Sequence, residues 1–135
     1  MKNKAEAICD HLEFLGFTIK KFEKKEEKNP QIYAALHPKK WNIVFWEVNP
    51  DLVMFQISVD TGKKPNKEMD ACVNAANQKL FITKTYHHLI EGKTSLKFEV
   101  FYVGEYAKSL FGVFLDSFLN DVKGFKAIDV KKAFF

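Results

Sequence analysis

Arginine is absent from this chain: all 21 of its basic residues are lysine, and the net charge is +4. Arginine grips phosphate and reads guanine through two parallel hydrogen bonds, whereas lysine offers one hydrated charge. The lysines also alternate with acidic residues, most densely in residues 20–28, which is typical of a solvated loop. We therefore expect no nucleic-acid partner.

Cysteine, glycine and long apolar runs are also scarce. Cys9 and Cys72 form no CxxC pair and fall within helical patterns, so we expect two buried, reduced thiols with no bond between them. The six glycines form no phosphate-binding loop. Acidic residues interrupt the N-terminal segment, and the longest apolar stretch, residues 110–119, is too short and too polar to span a bilayer. The sequence thus predicts a cytoplasmic protein with no membrane partner.

The four histidines do not form a metal-binding pattern. His87 and His88 are adjacent on a predicted strand and point to opposite faces, while His11 and His37 have no partner at ligand spacing. Neighbouring residues in a helix point about 100° apart, so Cys9 does not converge with His11 as a nucleophile and base. No GxSxG or HExxH motif is present. We therefore expect no catalytic residue, metal or cofactor, although a site assembled from scattered residues stays open as the alternative.

Apolar periodicity predicts one α+β domain over residues 1–135. A first helix ends at Gly16, strands follow at residues 17–22 and 32–36, and Asn66 caps a second helix. A third helix, ended by Gly124, has the longest apolar stripe, and residues 128–135 add an amphipathic turn through Val130 and Phe134. The three predicted stripes are Ala5, Ile8, Cys9, Leu12 and Leu15; Met69, Cys72, Val73, Ala76 and Leu80; and Ala107, Leu110, Phe111, Phe114, Leu115, Phe118 and Val122.

Two hairpins complete the pattern. In residues 41–60 the turn at Asn49-Pro50-Asp51 predicts that Val48 pairs with Val53, Trp46 with Phe55 and Val44 with Ile57, all facing the core. In residues 81–103 a loop at Glu91-Gly92 places Lys84 across from Glu99. That loop also directs four residues of the second strand to the core: Leu96, Phe98, Val100 and Tyr102.

The first hairpin leaves an unusually apolar row on its other face. Trp41, Ile43, Phe45 and Met54 would point away from the core, extended by Ile82 and Phe101. Two explanations are open: a helix or the C-terminal segment covers the row, or the row is an interface for a second copy or an apolar peptide. We take these six residues as the candidate partner-binding set.

Three features resemble a known family. They are the first helix ending at Leu15-Gly16-Phe17, the helix segment Val73-Asn74-Ala75-Ala76-Asn77 running into a strand, and the second hairpin followed directly by a long amphipathic helix. The order helix, antiparallel strands, helix, hairpin, helix is similar to the YbjN-like group within the type III secretion chaperone-like fold. The resemblance implies a twisted antiparallel sheet with helices on one face, in a non-enzymatic and often dimeric domain whose relatives bind polypeptide segments or have regulatory roles.

The leading hypothesis is therefore a non-catalytic protein-binding module, chaperone-like or regulatory, that forms a homodimer. The alternative is a small-molecule-binding protein or enzyme with a pocket between sheet and helices. Asn74 and Asn77 share one side of the second helix. They would bond either a ligand or the chain leading into the next strand, and the second interpretation is favoured.

Overall fold

The computed structural model describes residues 3–127. The predicted turn through Val130 and Phe134 lies outside the described residues. Residues 3–127 form three helices and six strands, and the strands form one sheet in the order β1-β2-β3-β4-β6-β5. The predicted α+β class with an antiparallel sheet is confirmed. In chain order the elements are α1 (Lys4–Phe14), β1 (Thr18–Lys21), β2 (Ile32–Leu36), β3 (Ile43–Asn49), β4 (Leu52–Asp60), α2 (Lys67–Lys79), β5 (Lys84–Ile90), β6 (Lys93–Val103) and α3 (Lys108–Ala127).

The described chain divides into two compact units. Unit 1 comprises residues 3–57 and 101–114, and unit 2 comprises residues 58–100 and 115–127. The single domain expected from the sequence stays a prediction. None of the helices in residues 3–127 combines the length and the apolar character needed to cross a membrane.

In unit 1, α1 ends where the sequence predicts. The Asn3 side chain accepts a hydrogen bond from the Glu6 backbone N–H (2.8 Å), which satisfies one of the free donors in the first turn. Ile8 and Leu12 are fully buried on one side of the helix. Gly16 follows with φ +97°, a conformation that glycine adopts without strain, and the chain turns into β1.

The β3–β4 hairpin has the predicted turn but not the predicted register. Asn49 pairs with Leu52 as expected, but Glu47, not Val48, pairs with Val53, so Val48 is an extra residue in β3. A bulge of one residue moves every earlier side chain of the strand to the opposite face, because side chains alternate with a period of two. The pairs that follow are therefore Trp46 with Met54, Phe45 with Phe55 and Val44 with Gln56.

This shift decides which residues form the core of unit 1. Phe45 is fully buried between Tyr33 and Phe55, with ring centroids 5.1 and 5.2 Å away and nearly parallel planes. The Phe55 ring also meets the start of α3 at Phe111, 5.7 Å away. Val48, predicted to be core, is instead half exposed. The inward-facing set of β3 is thus Ile43 and Phe45, and the predicted set of Val44, Trp46 and Val48 is wrong.

In unit 2 the predicted cap of α2 and the predicted loop and pairing of the second hairpin are confirmed. Asn66 caps α2 by accepting the Met69 backbone N–H (3.0 Å). Glu91 and Gly92 both have positive φ, +50° and +79°, as a two-residue hairpin loop requires. Lys84 pairs with Glu99, and Phe98 is buried as expected. The other predicted core residues of β6 are also buried: Leu96, Val100 and, in unit 1, Tyr102.

The third helix differs from its prediction in where it ends and in the width of its buried stripe. It continues through Gly124 to Ala127, since one glycine costs a helix only about 1 kcal/mol and does not by itself end it. Leu110 is 66% exposed, because it lies about 100° around the helix from the fully buried Phe111. The buried stripe is narrower than predicted and consists of Phe111, Leu115, Phe118 and Val122.

The two cysteines are free thiols in different surroundings. Cys9 is buried, and burial, together with the nearby Glu13 carboxylate, raises the pKa of its thiol to about 11. Cys72 is only partly buried, so the prediction of a buried side chain holds for Cys9 and not for Cys72.

We expect Cys9 to react with a maleimide much more slowly than Cys72 in the folded protein, because only the thiolate reacts and the pKa of the buried Cys9 is about 11. Burial also raises the pKa of Cys72, but its side chain is more exposed. Both should react rapidly in urea. The single variants Cys9→Ser and Cys72→Ser assign the two phases, and equal rates for the two thiols in the folded protein would contradict this expectation.

Candidate interaction surface

An apolar row crosses the strands of unit 1 on the face opposite the stacked aromatic rings. Ile32 of β2 pairs with Trp46 of β3, and Trp46 pairs with Met54 of β4. Directly paired residues lie on the same face, so these three side chains form a continuous line. All three are partly exposed.

Phe101 of β6 extends this row to a fourth strand. The Gly104 backbone N–H donates to the Asp51 carbonyl (2.9 Å), which fixes the alignment of β6 beside β4. Counting three residues back from Gly104 and three forward from Asp51 places Phe101 beside Met54. Its ring is 47% exposed, whereas the neighbouring Tyr102 is buried on the other face. We call the face that carries Ile32, Trp46, Met54 and Phe101 the outer face.

The chemistry of the outer face row is apolar. None of its four residues is ionisable. Val44, which lies on the same face of β3 as Trp46, is also partly exposed. A solvated face of an antiparallel sheet is ordinarily polar. Aromatic residues and methionine are enriched in the buried centres of protein interfaces. The row therefore has the composition of a contact surface.

Unit 2 carries a separate polar feature at the chain segment between α2 and β5. The backbone N–H groups of Phe81, Ile82 and Thr83 all donate to the carboxylate of Asp121 from α3, at 2.9, 2.9 and 3.0 Å. Burial alone would raise the pKa of Asp121, but these donors stabilise the charged form more strongly and lower its pKa. We call these three N–H groups the N–H cradle.

Asn77 of α2 forms hydrogen bonds with both the backbone N–H and the backbone carbonyl of Thr85 in β5. Its side-chain nitrogen donates to the Thr85 carbonyl (2.9 Å), and its side-chain oxygen accepts the Thr85 N–H (2.8 Å). The favoured interpretation of this asparagine, bonding to the chain at the next strand, is confirmed.

A chain with this architecture has a counterpart among solved structures. The crystal structure of YbjN from E. coli, described as a candidate transcription regulator, superimposes with a TM-score of 0.65. The match covers 90% of this chain and 87% of that one, at 11% sequence identity. The fold is YbjN-like. No protein-family model matches the chain, and no curated protein matches it in sequence.

Identity as low as 11% shows the YbjN-like fold alone. The resemblance inferred from the sequence is confirmed at that level. The type III secretion chaperone part of the resemblance stays a prediction, as do the dimer and the cytoplasmic location.

On this YbjN-like fold the six predicted partner-binding residues do not form one surface. Ile43 and Phe45 are fully buried core residues, because the bulge at Val48 exchanges the two faces of β3. Met54 and Phe101 do lie on the outer face. The remaining two are Trp41, partly exposed two residues before β3, and Ile82, which belongs to the N–H cradle of unit 2.

Ile32, Trp46 and Asp121 were not among the candidate site residues predicted from the sequence. Trp46 was predicted to face the core, because its face depends on the bulge at Val48, which no turn residue indicates. Asp121 is 38 residues or more from each of its three donors, and no local pattern predicts so distant a contact.

Three of the four histidines contact other groups of the chain. His11 Nδ1 lies 2.7 Å from the Tyr106 hydroxyl, His37 Nδ1 accepts the Lys39 N–H (3.0 Å), and His87 Nε2 lies 2.5 Å from a carboxylate oxygen of Asp70. Within residues 3–127 no group of three histidine, cysteine or acidic side chains is placed to hold a metal ion.

A cleft of about 640 Å³ lies in unit 2 near the tip of the β5–β6 hairpin. The hydroxyl oxygens of Thr94 and Ser95, two of its lining residues, are buried without a hydrogen-bond partner. Its lining residues come from strand ends and turns: Asp60, Thr61, Gly62, Ile90, Glu91, Lys93, Thr94 and Ser95.

Proposed function

We propose that this protein is a non-catalytic protein-binding module and that the outer face is its contact surface, most simply for a second copy of the chain. The observation that carries the proposal is the row of Ile32, Trp46, Met54 and Phe101 across four adjacent strands. Burying one large apolar side chain stabilises a complex by about 1.5–3 kcal/mol before entropy costs, so several such residues together can hold a dimer.

A regulatory role through protein contact fits this chain better than direct contact with DNA. YbjN is described as a candidate transcription regulator, but this chain has no arginine, and its lysines are mixed with acidic residues. Base readout and phosphate clamping both depend heavily on arginine. The protein-binding proposal therefore does not extend to nucleic acid.

The test is the variant Trp46→Lys. A lysine on the outer face places a charge in the proposed contact, so the dimer dissociation constant should rise at least about tenfold, the equivalent of losing one buried large side chain. Light scattering over a concentration series measures the change, and far-UV circular dichroism should remain that of the wild type.

Phe14→Lys is the matched control, because Phe14 is an aromatic residue of α1 that is 81% exposed and not part of the outer face. It should leave association unchanged. If Trp46→Lys instead unfolds the protein, the outer face is covered by the chain itself. If it changes neither mass nor stability, the row is ordinary surface, and either result rejects the proposal.

A second candidate is a small-molecule-binding protein or enzyme. The observation that favours it is the cleft in unit 2, where Asp60, Glu91 and Lys93 offer charges of both signs to a small polar ligand. We place it second because the unpaired hydroxyls of Thr94 and Ser95 are shielded from water, so a ligand could not reach them without local movement.

A further inference from the structure

The N–H cradle has the geometry of an anion site. Three successive backbone N–H groups, from Phe81, Ile82 and Thr83, converge on two oxygens of one carboxylate at 2.9–3.0 Å. Charge-assisted hydrogen bonds of this kind are about twice as strong as neutral ones. Proteins use convergent backbone N–H groups to capture terminal carboxylates and phosphates of their ligands.

We propose that the N–H cradle is an oxyanion-binding site that the protein fills with its own Asp121, and that a carboxylate or phosphate group binds there once the Asp121 side chain is removed or drawn away. Asp121 acts in this site as an internal ligand that excludes others. The proposal concerns unit 2 alone and does not depend on the role of the outer face.

The surroundings of the cradle suit an external ligand. Phe81 is 81% exposed and Ile82 is also exposed, whereas Thr83 is buried, so a ligand can approach the first two donors from solvent. The cradle follows the C-terminal end of α2, whose dipole disfavours an anion. Lys79 in the last turn of α2 and Lys84 at the start of β5 are exposed and flank the cradle in sequence.

The charge of Asp121 is already stabilised in this setting. Burial would raise its pKa, but the pKa is lowered, and the hydrogen bonds from the backbone of Phe81 and Ile82 contribute most to this lowering. The same donors would stabilise any oxyanion of similar size in the place of the side chain.

The experiment is a titration of Asp121→Ala, which removes the internal ligand and leaves the space. Sodium acetate and sodium phosphate are added separately at constant ionic strength, and the amide resonances of residues 81–83 are followed by NMR. We expect chemical-shift changes that saturate and are confined to these amides. The dissociation constant should be at least about tenfold smaller than in the wild type, because one charge-assisted hydrogen bond contributes the free energy of at least a tenfold change in affinity. Comparison of the dissociation constants for acetate and phosphate shows whether the site prefers a carboxylate or a phosphate.

Asp116→Ala is the matched control, since Asp116 is an exposed acidic residue of the same helix. It should behave as the wild type in both titrations. Equal responses of Asp121→Ala and wild type, or shifts spread over the whole protein, would overturn the proposal. If Asp121→Ala does not fold alone, folding induced by acetate or phosphate but not by chloride supports the site, and failure with all three overturns it.

Discussion

Phe45→Ala is expected to lower the free energy of unfolding by about 3–5 kcal/mol, the range for deleting a fully buried aromatic ring. Phe45 is the middle of the stack formed with Tyr33 and Phe55, so its removal leaves a cavity lined by two rings. Urea unfolding measures the loss, with the slope of the transition unchanged if only stability is affected.

Val48→Ala is the control, because the two residues would exchange roles if β3 had the regular register. Val48 is 50% exposed, so its truncation should change stability by no more than about 0.5 kcal/mol. A large loss for Val48→Ala together with a small one for Phe45→Ala would mean that the bulge is absent in solution.

Phe111→Ala should cause a loss of similar size, about 3–5 kcal/mol. Its ring is fully buried and meets the rings of Phe55, Tyr102 and His11, with centroids 5.7, 5.3 and 5.0 Å away. It therefore joins β4, β6 and α1 of unit 1 through one side chain, and urea unfolding again provides the measurement.

The variant Leu110→Ala is the control, because it tests which side of α3 faces the core. Leu110 and Phe111 both belong to the apolar stripe read from the sequence, but Leu110 is 66% exposed. Its truncation should alter stability by no more than about 0.5 kcal/mol. Comparable losses for both variants would show that the stripe is as wide as the sequence suggests and that the helix is rotated from the orientation described.

Several element boundaries were predictable from the sequence because local rules determine them. The caps at Asn66 and Gly16 and the loop at Glu91-Gly92 each depend on a few adjacent residues, so the boundaries that follow from them are correct. The pairing of Lys84 with Glu99 then follows from the loop alone.

The outer face could not be assigned correctly, because one extra residue in β3 changes the face of all those before it. Nothing in Val48 or Asn49 identifies a bulge, and both candidate faces of β3 are apolar: Ile43 and Phe45 on one, Val44 and Trp46 on the other. With either choice the hydrophobic pattern is satisfied. The aromatic stack with Tyr33 and Phe55 decides between the faces, and that contact depends on the pairing of three strands.

The bond between Asn77 and Thr85 has a consequence for aggregation. β5 is the last strand of the sheet order, and the unpaired backbone of such a strand is where another chain can add a strand and begin a fibril. At Thr85 the side chain of Asn77 already bonds both the backbone N–H and the backbone carbonyl. It occupies the place that one residue of an added strand would take. Through Asn77, α2 thereby protects the edge of the sheet from cross-β growth at this residue. The protecting group is a neutral amide rather than a charged side chain.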